Sequence, residues 1–171
     1  MVTATHVVFD DIEASHTSLR LFYDSDDSPV VSVDKVSVDY VYIEYDMCTL
    51  KCVTCEKNVG IKLKEMWKHY FDVWGKVLNK YEKCRDVVKL TFIVSHPHGC
   101  SKQVSVGQWK DKHQVGDIQT KFTYTTCTCP GSSGANVHCV GYKTGLFNVD
   151  IVHSGSLKSG LNQSAVGFVY N

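Results

Sequence analysis

The feature that most constrains this chain is a period of two. In "VSVDKVSVDYVYIEY" (31–45), valines, tyrosines and an isoleucine alternate with charged and small polar residues. An extended backbone sends successive side chains to opposite faces, so such a run builds a half-buried strand. The same β-branched and aromatic enrichment marks 18–25, 87–95, 102–109, 120–128, 136–142, 146–154 and 165–171. Clusters of Gly, Asp, Ser or Pro separate these runs. The chain is expected to be mainly β, with antiparallel connections.

One segment has a different period. In 58–84, Ile61, Met66, Trp67, Tyr70, Phe71, Trp74, Val77, Leu78 and Tyr81 recur at helical spacing among lysines. An amphipathic helix is expected there, with Trp67, Phe71, Trp74 and Leu78 packed on the β structure, away from any chemistry. The resulting division is 1–57, a helical insertion at 58–86, and 87–171. No internal repeat or low-complexity tract interrupts it.

Composition narrows the function classes. With 171 residues and zero formal net charge, the chain as a whole is not a basic nucleic-acid binder. Charge is uneven: residues 1–50 hold ten acidic and two basic side chains, residues 51–112 thirteen basic and six acidic. Lobes attracting each other, or a solvated basic helix, account for this more simply than a phosphate-binding surface. No run approaches the roughly 18 apolar residues of a membrane helix, and the start "MVTATHVVFDD" lacks a secretory signal pattern. Eight cysteines leave the compartment open.

The chemistry concentrates at "CPGSSGANV" (129–137). Glycines on both sides of a serine permit a tight turn in which the Gly131 and Ser133 N–H groups converge on one point. Donors converging beside a hydroxyl can stabilise an oxyanion. A serine also needs a base to take its proton, and the base needs an acid to orient it. His6 in "TATHVVFDD" and Asp39 in "VDYVYIEY" can supply them; Asp34 and Asp46 compete with Asp39, which leads because a strand continues directly from it.

These segments, in the order His, Asp, Ser, resemble the chymotrypsin-like serine proteases, most closely their glutamyl endopeptidase branch. "VDIVHSGSLKSGLNQSAVGF" resembles that branch's "G-I-H-x-G-G" strand and terminal strand, and "FIVSHPHGCSKQVSVGQW" its "G-Y-P-x-G" hairpin. The resemblance covers nearly the whole chain outside the helical segment. It implies a two-lobed double β-barrel, with His6 as general base, Asp39 orienting it, Ser133 as nucleophile, and Gly131 and Ser133 amides as the oxyanion hole. It implies a specificity pocket built from Thr128, five residues before the nucleophile, and His153, Ser154 and Gly155. Such a pocket favours Glu or Gln before the cleaved bond. With His153 at an ordinary value of about 6.5, preference for Glu would grow as pH falls. Only five residues precede His6, so the first barrel is expected to lack strands; Ser132 stands where many relatives carry an acid.

The expected partner is a peptide or protein substrate, with no cofactor, nucleic acid or membrane. Two other readings stand beside it: a catalytically inactive scaffold on the same fold, and a zinc-binding module using Cys48, Cys52 and Cys55 or His96, His98 and Cys100.

Overall fold

In a computed structural model, which describes residues 1–117, 119–144 and 151–170, the chain is mainly β, with antiparallel sheets and few helices. Its elements are β1 (Val2–Thr3), α1 (Asp11–Ser15), β2 (Arg20–Leu21), β3 (Val31–Ser32), β4 (Lys35–Tyr42) and β5 (Met47–Val53). There follow α2 (Lys57–Tyr81), α3 (Arg85–Val88), β6 (Leu90–Ser95), β7 (Gln103–Val115), β8 (Gln119–Tyr124), β9 (Val137–Cys139), β10 (Lys143–Thr144), β11 (His153–Ser156), β12 (Asn162–Ser164) and β13 (Gly167–Tyr170).

The first lobe is a three-stranded sheet, ordered β1-β5-β4, beside a β2–β3 hairpin. Val8, Ala14, Val36, Cys48 and Leu50 form its core. Asp10 caps α1 by accepting the Glu13 N–H at 2.9 Å. Asp11 accepts Val38 N at 2.8 Å, so α1 satisfies one donor on the outer edge of β4.

The second lobe orders its strands β10-β13-β8-β7-β6-β9, and β12 pairs with both β8 and β11. Ile93, Trp109, Phe122, Tyr124, Val137, Cys139, Tyr142, Ile151 and Val169 fill it. Along β9 the period of two is plain: Val137 and Cys139 point into the core while His138 points out. The ladders among the described residues do not close into a barrel.

Helix α2 covers the outward face of β6 and β9. Trp74 is buried there, and its ring lies 5.4 Å from His138, which stacks on Phe92 at 4.5 Å. Burial without a charged partner pushes the His138 pKa down to about 4. Trp67 and Phe71 depart from the expected packing. They are 46% and 41% exposed and meet each other edge to face. The apolar stripe is longer than the core surface it docks on, so residues 60–69 are exposed. No helix among the described residues is long and apolar enough to cross a membrane. All eight cysteines are free thiols.

Candidate functional site

The lobes meet at a small apolar seam of Ala4, Val152 and Ala165. His6 stands in the turn after β1, where Val7 N bonds back to Ala4 O at 3.0 Å. Its partner is Asp46. Asp46 ends the short 3₁₀ turn Ile43–Tyr45 in a left-handed conformation (φ 51°, ψ 45°), which Asp tolerates better than most side chains. That turn aims its carboxylate at three donors. His6 N donates to Oδ1 at 3.1 Å, His6 Nδ1 reaches Oδ2 at 2.9 Å, and Ser154 Oγ donates to Oδ2 at 2.6 Å. A carboxylate facing Nδ1 places the proton there, leaving the Nε2 lone pair to act as a base.

Asp39 is therefore not the residue that orients His6. It sits exposed in β4, skipped where the β4–β5 register shifts between Val38 and Tyr40. The extra residue of such a bulge has no cross-strand partner and here faces water. Asp34 is occupied elsewhere, accepting Cys55 N at 2.6 Å in the turn after β5.

The serine turn is built as its glycines require. Gly131 (φ 91°) and Gly134 (φ 81°) both lie in the left-handed region. A side chain at Gly134 would strike Thr3 Oγ1, and one at Gly131 would come within 3.0 Å of His96 O. Gly134 N donates to His153 O at 2.9 Å, and His98 N donates to Pro130 O at 2.7 Å, so the turn is held at both ends. The two serines separate cleanly. Ser132 is buried, with its hydroxyl 3.3 Å from that of Ser95, whereas Ser133 is partly exposed. Among the described residues, neither the Gly131 nor the Ser133 amide donates to an acceptor.

One chain of contacts links the three residues across the seam. Gly134 packs on Thr3 and Ala4, just before His6; it bonds to His153, whose neighbour Ser154 bonds to the carboxylate that holds His6. Among the described residues no hydrogen bond joins His6 to Ser133 directly.

Beside the turn, His153 is buried, with Nδ1 2.7 Å from the Tyr124 hydroxyl. That hydroxyl also lies 3.1 Å from Gln163 O, so the ring is fixed from its Nδ1 side and its Nε2 is left for another partner. Burial, and then the nearby His6, lower the His153 pKa to about 4. The ring is thus neutral across the pH range in which an ordinary histidine charges, which removes the expected growth of Glu preference near pH 6.5. Burial raises the Tyr124 pKa as well. Thr128 is half-buried, without a hydrogen bond to His153 among the described residues, and Gly155 lies beyond the irregular step between His153 and Gly155 in β11. Ser154 belongs to the carboxylate, not to the pocket. Tyr124 went unnoticed in the sequence, although its alternation with Phe122 along β8 marks a shared inward face.

Among the described residues, no group of three or more His, Cys, Asp or Glu side chains is placed to hold a metal ion. Cys48 is buried while Cys52 and Cys55 are exposed, and the His96–Cys100 segment is a turn rather than a strand sharing one face. Compared with known proteins, the chain matches no family model, no curated protein and no solved structure.

Proposed function

We propose that this chain is a chymotrypsin-like serine endopeptidase acting through His6, Asp46 and Ser133. The observation that carries the reading is the Asp46 carboxylate, which gathers the His6 ring, the His6 amide and the Ser154 hydroxyl at 2.6–3.1 Å. The ring contact sets the tautomer, and the His6 amide and Ser154 hydroxyl hold in place the carboxylate that makes it. Ser133 attacks the scissile carbonyl, His6 Nε2 takes its proton and passes it to the leaving amine, and the uncommitted Gly131 and Ser133 amides receive the oxyanion.

The double-barrel architecture belongs to this reading. A bridge between Asn136 and Val152, with Val137 N bonded to Ile151 O and His153 N to Ala135 O, draws the β9 side of the second lobe toward β11. Continued, that contact closes the circuit β6-β7-β8-β12-β11-β9, a six-stranded barrel. The first lobe is a barrel short of strands.

A neutral His153 offers one hydrogen-bonding nitrogen and no charge, which suits a Gln amide before the cleaved bond and leaves an ionised Glu without a counter-charge. The test is labelling with a fluorophosphonate probe. Labelling abolished by Ser133→Ala and retained by Ser132→Ala supports the enzyme. A folded protein that stays unlabelled favours the inactive scaffold, the reading supported by the missing His6–Ser133 hydrogen bond and the thin first lobe.

A further inference from the structure

A groove of about 290 Å³ runs between the first lobe and α2, lined by Arg20, Phe22, Tyr23, Leu63, Met66 and His96. Its floor is apolar, and its rim carries Arg20, Lys62 and Lys102, the last of them paired with Asp24. Phe22 is held at φ 56°, a costly conformation for a bulky side chain, with Lys62 Nζ 4.1 Å from its ring centroid. Among the described residues, neither Lys62 nor Arg20 forms an ion pair. Arg20 instead lies over the Tyr23 ring at 4.3 Å, which in turn packs against His96 at 4.9 Å.

The groove's position gives it direction. The His96–His98 segment lining it also holds the Gly131 end of the serine turn, where His98 N bonds Pro130 O and His96 O closely approaches Gly131. The Gly134 end of that turn is held by His153, the candidate pocket for the residue before the cleaved bond. The two anchored ends flank Ser133 in the chain. We infer that the groove binds the part of an extended polypeptide beyond the cleaved bond, and that it prefers segments alternating apolar and acidic residues. In an extended chain such a segment lays its apolar side chains on Leu63 and Met66 and turns its carboxylates to Arg20 and Lys62. This assignment rests on the endopeptidase reading for its direction, and α2 acquires a role in selecting substrate that its sequence did not suggest.

Two measurements separate the groove from the chemistry. The first is fluorescence anisotropy on the full chain carrying Ser133→Ala, with a labelled octapeptide of alternating leucine and glutamate and its leucine–lysine counterpart. The acidic peptide should bind about tenfold more tightly or better, and Met66→Glu or Lys62→Glu should remove that advantage. Both side chains are exposed, so neither change threatens the fold. The second compares hydrolysis of peptides with Gln before the cleaved bond, followed by acidic–apolar, basic–apolar or no further residues. The acidic tail should raise kcat/KM about tenfold, an effect lost in Met66→Glu while the tail-less peptide is cleaved unchanged. Equal affinity for both octapeptides, no binding, equal rates for both tails, or a concentration-dependent mass showing a second copy in the groove would each overturn the inference. If no peptide is cleaved, the endopeptidase reading fails, and the anisotropy still decides whether the groove binds acidic peptides.

Discussion

The two lobes hold their parts of the site by different means. The second places His153 at the start of a strand and Ser133 in the turn between β8 and β9, beside a core of Trp109, Phe122, Tyr124 and Tyr142, rings that meet edge to face at 5.3–5.9 Å where Trp109, Phe122 and Tyr142 touch. The first has no buried aromatic in its core and carries His6 and Asp46 on turns. Its precision comes from three hydrogen bonds to one carboxylate, one of them donated by the other lobe through Ser154. Packing dominates around Ser133 and polar contacts around His6, so damage to each should register in a different measurement.

The largest effect tests the polar side. Asp46→Asn should lower kcat/KM by about 10⁴, because an amide facing Nδ1 favours the wrong imidazole tautomer. Melting temperature should fall little, and Asp39→Asn should leave the rate unchanged. Comparable losses from both substitutions would dismiss Asp46 as the orienting acid. Next, Phe122→Ala should destabilise the protein by about 3–5 kcal/mol in urea unfolding, against about 2 kcal/mol for Val36→Ala in the first lobe. Equal costs would erase the contrast between the lobes.

A third effect comes from pH and again belongs to the second lobe. His138 and His153 both fall from an ordinary 6.5 to about 4. Above pH 6.5 each is neutral folded or unfolded and contributes no pH dependence. As pH drops from about 6.5 to 4 the unfolded chain takes up protons that the folded one refuses, so stability falls, by about 3 kcal/mol for each ring. Urea midpoints at pH 7 and pH 4.5 measure this, and His138→Phe should flatten its share of the slope. The smallest effect sharpens the seam. Ser154→Ala removes one charge-assisted donor and should cost about tenfold in kcat, with KM nearly unchanged. A change confined to KM would return Ser154 to the specificity pocket.

Alternation along the chain was enough to read the β class, and helical spacing enough to read α2, because both report one face meeting a core. The acid was not legible for the same reason. Asp39 opens an apolar run, but the bulge at Val38–Tyr40 turns it outward, and Asp46 reaches His6 only through a left-handed backbone that leaves no trace in hydropathy. β12 (Asn162–Ser164) is wholly polar and was passed over. Its burial comes from neighbours on both sides, with Asn162 Nδ2 bonded to Thr126 O at 2.7 Å. The exposed half of α2 was misread because periodicity shows that a stripe exists, not how far its docking surface extends.

The contact of Gly134 with Thr3 and Ala4 has a kinetic consequence. Ser133 and His6 are 127 residues apart, and the turn between β8 and β9 has its final neighbours only once β1 has arrived. Each lobe can form its own ladders first, since those join strands much nearer in sequence than His6 is to Ser133; closing the longest loop comes afterwards and is slow. During refolding, fluorescence from Trp109 in the second lobe should recover before Ser133 becomes reactive toward a phosphonate. The lag between them times the docking of the lobes; on the endopeptidase proposal, a newly made chain would pass through a folded but unreactive interval.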